Sequence, residues 1–471
     1  YLIKYTNLAG EEKIKKGNWE QYKSVYLFLL SFGIALGLTW LLKEPEFNDT
    51  KVYVFFLLFF ALGLWFTEAV PAFAVSIFII AYLVFMLGNP HLNSAPENIE
   101  KYVTTFSSSI IWLMLGGFFM AAAMTKTNLD EALFRFTLRM SGSNPRNLLI
   151  GLMLTTMVAS MLMSNTATTA MVIASIMPLL KSLGKQSPLT KAFLLGVPIA
   201  ATTGGMGTII GSPPNLIAIG ALENAGIEVS FLDWMIYGLP LAFVLTAISC
   251  FVLIRIYIKD TQAISLDFLQ AQQEVLPYKE KMKRITVVVI IAITIILWLT
   301  TSFHGLKVGA VSAIPLVFLP LFGILKNKDV QGLPWDTLLL VAGGLSLGLA
   351  LLHSGLLDYY AGYIKQMEVQ EIILLLLFAF LTMILSNVMS HTATSTVLIP
   401  LGMAILVNAQ SEVALIIGLA ASTALFLPVS TPPNAIAFST EMLEIKDFRT
   451  GGILVGLLGP LLIVLWILFV S

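Results

Sequence analysis

A set of polar and proline-rich breaks recurs, in the same order, in both halves of an otherwise apolar chain. Ser164-Asn165-Thr166-Ala167-Thr168-Thr169 returns as Ser390-His391-Thr392-Ala393-Thr394-Ser395. Gly211-Ser212-Pro213-Pro214-Asn215 returns as Ser430-Thr431-Pro432-Pro433-Asn434, and the twin glycine Gly116-Gly117 returns as Gly343-Gly344. The shared offset of roughly 220 residues is far too long for a solenoid repeat and marks a duplicated unit. Polar, proline-interrupted segments at matching places in two apolar halves point to the binding site of a transporter.

The chain is 57% hydrophobic and 11% charged, with a mean hydropathy of +0.88. A soluble domain carries about 25% charged residues. A net charge of zero gives no case for nucleic acid as a partner, and one cysteine, Cys250, excludes an internal disulfide and any multi-cysteine metal site. Residues 1–23, with Lys4, Lys13, Lys15 and Lys16, read as a cytoplasmic tail.

Apolar runs long enough to cross a bilayer lie near 24–43, 51–66, 70–88, 106–125, 190–210, 234–258, 285–302, 306–325, 335–353, 411–427 and 450–470. Two further runs, 147–180 and 370–407, are interrupted midway by the polar repeats and read as re-entrant hairpins. With the amino terminus inside, that reading leaves only Lys43, Lys51, Lys101, Lys307 and Lys365 outside, of 27 lysines and arginines. A basic excess of this kind belongs on the cytoplasmic side. Crossing once through 147–180 would instead export Lys181, Lys185 and Lys191, so the hairpin is preferred. The stretches 126–146 and 354–369 are amphipathic and lie along the membrane surface.

The predicted fold is therefore an all-α polytopic membrane protein of about 11 transmembrane helices plus two re-entrant hairpins. Its first span and first repeat cover 24–259, a cytoplasmic linker 260–284 and the second repeat 285–471. An odd number of crossings per unit makes the repeats inverted, with the carboxyl terminus outside and the hairpin tips meeting near the midplane.

Proline lacks an amide hydrogen and is favoured at the first turn of a helix, whereas Ser, Thr and Asn cap helix starts. Both tips and both Pro-Pro turns should therefore present helix amino termini to one cavity, where free N–H groups and dipoles favour an anion. Scattered serines and prolines often only glue or kink membrane helices, but matched pairs in a repeat are not scattered. The apolar spans hold almost no charged side chains, which argues against a proton relay, a voltage sensor or a charged filter. Glu68, at the Phe66-Thr67-Glu68-Ala69-Val70-Pro71 turn, reads as structural. One rival comes from a different class: Gly344-Leu345-Ser346-Leu347-Gly348, with His353 beyond it, matches a nucleophile elbow and suggests an intramembrane serine protease. That motif needs a strand–turn–helix context and sits in a membrane helix instead.

From about residue 24 onward the paired tips, paired Pro-Pro-Asn turns and twin glycines resemble the divalent-anion:sodium symporter family, the INDY-type di- and tricarboxylate transporters. The resemblance implies a homodimeric, elevator-type transporter rather than an enzyme. It also implies that substrate is held by Ser164, Asn165 and Thr166, by Ser390, His391 and Thr392, and by Ser212, Pro213, Thr431 and Pro432. A sodium site would use Ser160, Ser164, Asn165 and Gly211, and no other cofactor is expected. The chain departs from the family at His391, where the second tip normally carries asparagine. Sodium prefers oxygen ligands, as hard cations do, so the imidazole points to lost or weakened coupling. The expected activity is sodium-independent exchange of small dicarboxylates (malate, succinate, fumarate or 2-oxoglutarate), with sodium-coupled symport as the alternative.

Overall fold

The computed structural model describes residues 3–6, 12–15, 18–259, 264, 277–366 and 369–471. Of the expected 260–284 linker, only Ile264 and the residues from Pro277 onward fall within them.

Among the described residues nineteen helices, leaving aside single turns, carry the architecture. The first half runs α1 (Asn18–Leu42), α2 (Asp49–Thr67), α3 (Ala72–Gly88), α4 (Ser109–Lys126), α5 (Leu129–Ser141), α6 (Pro145–Ser160), α7 (Asn165–Leu183), α8 (Pro188–Gly204), α9 (Pro213–Asn224) and α10 (Phe231–Tyr257). The second runs α11 (Tyr278–Leu299), α12 (Val308–Leu321), α13 (Trp335–His353), α14 (Leu356–Gln366), α15 (Glu371–Ser386), α16 (His391–Ile405), α17 (Gln410–Ala420), α18 (Pro432–Ser439) and α19 (Phe448–Val470). The order of α2–α10 recurs as α11–α19. Within the expected tail, Ile3–Thr6 pairs antiparallel with Glu12–Lys15, so the described residues are helical apart from one small strand pair.

Local chemistry sets the helix ends. Asn48 caps α2 by accepting from Lys51 N, Ser108 caps α4 by accepting from Ile111 N, and Ser230 and Asp233 close a capping box at α10. Proline occupies the first turns of α6 and α8, where its missing N–H costs nothing. Glu68 ends α2 in a left-handed conformation at φ 50°, in keeping with a structural role.

The expected count of about 11 spans meets a stricter test of length and apolarity. Among the described residues eight helices pass, or nine if the pair His391–Ile405 and Val407–Thr423, bent by 113°, counts as one. The shortfall has a physical cause. Ala72–Gly88 and Val308–Leu321 are apolar but short, α8 and α17 are cut by breaks at the repeated motifs, and the eight include Asn165–Leu183, an arm of the expected first hairpin. Helices α6 and α7 pack on each other around the tip 161–164, as do α15 and α16 around 387–390.

The halves interlock. Helix α13 packs along α3, and α4 packs along α12, so each twin-glycine helix rests on a short apolar helix of the other half. A β-carbon at Gly116 would come within 2.8 Å of Ser312 Cβ, and one at Gly343 would overlap the Ser76 side chain. Only glycine lets the backbones approach this closely.

Candidate functional site

The four breaks converge on one cavity of about 560 Å³. All ten residues expected to touch substrate line it: Ser164, Asn165, Thr166, Ser212, Pro213, Ser390, His391, Thr392, Thr431 and Pro432. Among the described residues none that lines it is acidic, lysine or arginine, and His391 alone is titratable.

The two tips are built alike. Ser164 Oγ accepts from Ala167 N at 3.1 Å, and Ser390 Oγ accepts from Ala393 N at 3.1 Å. Each cap satisfies one N–H of its helix start and leaves others facing the cavity. Thr431 Oγ1 likewise accepts from Asn434 N at 3.1 Å, whereas Ser212 makes no side-chain cap.

The asparagine after each Pro-Pro pair acts as a staple across the break. Asn215 Nδ2 donates to the carbonyls of Gly205 and Thr208, both at 2.8 Å. Asn434 Nδ2 donates to those of Leu425 at 3.3 Å and Leu427 at 3.0 Å. An interrupted membrane helix leaves carbonyls without partners, and these amides supply them.

The residues expected to hold sodium come together in part. The Asn165 amide lies 2.6 Å from Ser160 Oγ. With its nitrogen turned inward it donates to Ala201 O at 3.1 Å and Gly211 O at 3.3 Å. Ser164 Oγ is instead engaged at the helix start, and the Ala201 carbonyl takes its place in the cluster. With the amide oxygen turned inward instead, it joins the Ser160 hydroxyl and those two carbonyls in an all-oxygen set of the kind hard cations take. The second half differs: His391 stands in place of the amide, its ring beside the Ala424 carbonyl. His391 Nε2 and Ser386 Oγ are buried there with no partner among the described residues.

Sequence reasoning missed part of the wall. Met114, Phe118 and Ala121 from α4, Leu162 and Met163 from the first tip, and Thr202, Thr337 and Leu340 also line the cavity. An apolar lining residue is indistinguishable in sequence from a lipid-facing one. Thr202 left a weak signal, as a threonine two residues before the Gly204-Gly205 break.

The nucleophile-like serine has no catalytic geometry. Ser346 Oγ donates to Tyr102 O at 2.8 Å and meets Thr105 Oγ1 at 2.8 Å, buried on a helix. His353 Nδ1 lies 2.9 Å from Leu349 O instead. This serine joins the halves and does no chemistry.

A polytopic helical protein whose matched helix breaks enclose an uncharged cavity is a membrane transporter, not an enzyme. The citrate transporter family profile matches residues 62–415, and the chain belongs to that family, within the divalent-anion:sodium symporters. It is 30% identical to the sodium-dependent dicarboxylate transporter SdcS of Staphylococcus saprophyticus over 93% of this chain and 90% of the relative. It is also 30% identical to SdcS of Staphylococcus aureus strain USA300, with the same coverage. Among solved structures, the YdaH transporter of Alcanivorax borkumensis aligns with a TM-score of 0.57 at 14% identity, over 85% of this chain and 98% of that one. MtrF of Neisseria gonorrhoeae, described among antimetabolite efflux pumps, aligns at 0.56 and 13% identity, over 84% of this chain and 94% of that one. At these identities the likeness is one of fold.

Proposed function

We propose that this chain is a secondary carrier of small dicarboxylates, such as malate, succinate, fumarate or 2-oxoglutarate, driven by sodium. The observation that carries the reading is the uncharged cavity ringed by four helix starts, two tips and two Pro-Pro turns, in matched positions. Such starts favour anions without a fixed positive side chain. A bound cation then supplies the charge that a dianion lacks, and the cluster around Asn165 offers it oxygen ligands. The relatives named sodium-dependent dicarboxylate transporters favour this coupling over the sodium-independent exchange expected from His391.

One observation keeps exchange as a second reading. His391 replaces the amide that a second oxygen site would use, and a carrier short of one cation returns empty less readily. The remaining architecture belongs to the same proposal. The repeats are inverted, and the amino terminus is cytoplasmic with the carboxyl terminus outside. The scaffold of α1–α4 and α11–α13 forms a homodimer. The hairpins with the broken helices α8–α9 and α17–α18 carry substrate across as a moving body.

The test is uptake of labelled succinate into proteoliposomes, empty or preloaded with unlabelled dicarboxylate, with sodium or potassium outside. Sodium-driven uptake into empty vesicles, abolished by Asn165→Ala, supports the symporter. Uptake that needs internal dicarboxylate and ignores sodium would move the assignment to exchange, and absence of uptake in every arm would reject a dicarboxylate carrier.

A further inference from the structure

Lys126 and Asp329 lie 203 residues apart, yet their side chains form an ion pair. Lys126 is the last residue of α4, which lines the cavity with Met114, Gly117, Phe118 and Ala121. Asp329 sits in a single helical turn, Asn327–Gln331, immediately before Gly332 and Pro334, which line the cavity and are exposed. Two stretches of cavity wall, from different halves of the chain, are thus joined end to end by one charged contact.

The carboxylate is fixed on its own side as well. Asp329 Oδ2 accepts the Lys326 N–H at 2.6 Å, and Trp335 Nε1 donates to Val330 O at 2.9 Å, tying the turn to the start of α13. On the other side, Arg284 Nε donates to Thr127 O at 2.7 Å, holding the chain just past Lys126. Both partners therefore arrive from segments with little freedom, which limits the entropy lost on pairing. The side chains of Lys126 and Asp329 are 35% and 25% exposed. A pair so accessible to water adds little to global stability. What it can set is position.

The other half treats the matching corner in the same way. Lys126 and His353 are separated by 227 positions, as are Tyr102 and Asp329 and as are Gly116 and Gly343. At that corner the Tyr102 hydroxyl donates to Glu97 Oε2 at 2.7 Å, Lys101 Nζ pairs with the same oxygen at 2.7 Å, and His353 acts on Glu97 electrostatically. An acid paired with a lysine thus lies near the end of each twin-glycine helix, although here the lysine is Lys101, four residues from Glu97, and the helix-end His353 forms no ion pair among the described residues.

We propose that Lys126 and Asp329 are positioning residues: their pair braces the exposed rim of the substrate cavity, fixing the 332–337 wall against α4. This inference rests on the carrier reading for its meaning but is tested without substrate. In a Cys250→Ser background, Thr337→Cys places one thiol on the cavity wall, and its labelling by a membrane-impermeant maleimide reports the rim. Asp329→Asn or Lys126→Met should change the labelling rate several-fold in solubilised protein that elutes as a single peak. The charge-swapped pair Lys126→Asp with Asp329→Lys should bring the rate back toward the parent, as should Lys126→Arg alone. Unchanged labelling in both single variants, or no recovery in the swapped pair, overturns the brace. Succinate uptake by the wild type is measured separately, so failure of the carrier reading leaves the labelling result legible.

Discussion

Gly343 is seated against Ser76 as Gly116 is seated against Ser312, so each half of the chain presses its glycine-rich helix onto a serine of the other. Ser76 Oγ also donates to Leu340 O at 3.3 Å, and Leu340 lines the cavity. The contact that joins the halves is thus one residue removed from the site.

Adding bulk at that contact should be costly. Gly343→Leu must displace Ser76 backbone atoms, and overpacking of a tight core costs about 1–3 kcal/mol. The expected result is a lower melting temperature and a loss of monodisperse protein. Gly362→Ala, where a β-carbon meets nothing within 4 Å, is the control and should behave as wild type.

The asparagine staples should be structural, not substrate contacts. Asn215→Ala leaves the carbonyls of Gly205 and Thr208 without a side-chain donor, at about 1–3 kcal/mol for each buried group left unpaired. Asn434→Ala should act in the same direction. Thermal unfolding of the detergent-solubilised protein measures this, and a variant with wild-type stability but raised KM would instead make the asparagine a substrate ligand.

Capping separates the two Pro-Pro starts. Thr431→Ala removes a cap and should cost about 1 kcal/mol of stability along with substrate affinity. Ser212→Ala removes no cap and should weaken uptake with stability unchanged. Parallel melting and uptake measurements distinguish the two.

One ion pair ties the core together rather than the rim. Lys191 Nζ reaches both carboxylate oxygens of Asp447, at 2.9 and 3.0 Å, and Asp447 is only 7% exposed. Lys191→Met leaves a buried carboxylate unpaired, at about 3–5 kcal/mol. The double variant Lys191→Met with Asp447→Leu should recover much of that loss.

The rim pair has a defined pH response. The hydrogen-bonded Lys126 ammonium holds the Asp329 carboxyl below its usual range. A depressed folded-state pKa means that the interaction is present at neutral pH and is lost as pH falls through the lowered value. Labelling of the Thr337→Cys protein should therefore owe nothing to Asp329 ionisation from neutrality to about pH 5, and shift only in stronger acid.

The tips and Pro-Pro turns were legible because hydroxyls, amides and prolines stand out in apolar runs, where their backbone breaks need a reason. Lysine placement carries the hairpin expectation, since Lys181, Lys185 and Lys191 cannot easily be exported. Other features are set by distance in space. Nothing local says that Asn215 reaches Gly205, that Ala201 rather than Ser164 completes the oxygen cluster, or that Ser346 meets Tyr102. Short helices such as Ala72–Gly88 read as full spans because their apolar flanks extend the run.

Because no carboxylate, lysine or arginine among the described residues faces the cavity, His391 is the one side chain there through which the protein can titrate its own binding site. Discrimination between a dianion and its singly protonated form otherwise falls to the solute. A carrier of this construction takes its acid sensitivity from its cargo, so the uptake profile should move along the pH axis when one dicarboxylate is exchanged for another of different second ionisation constant.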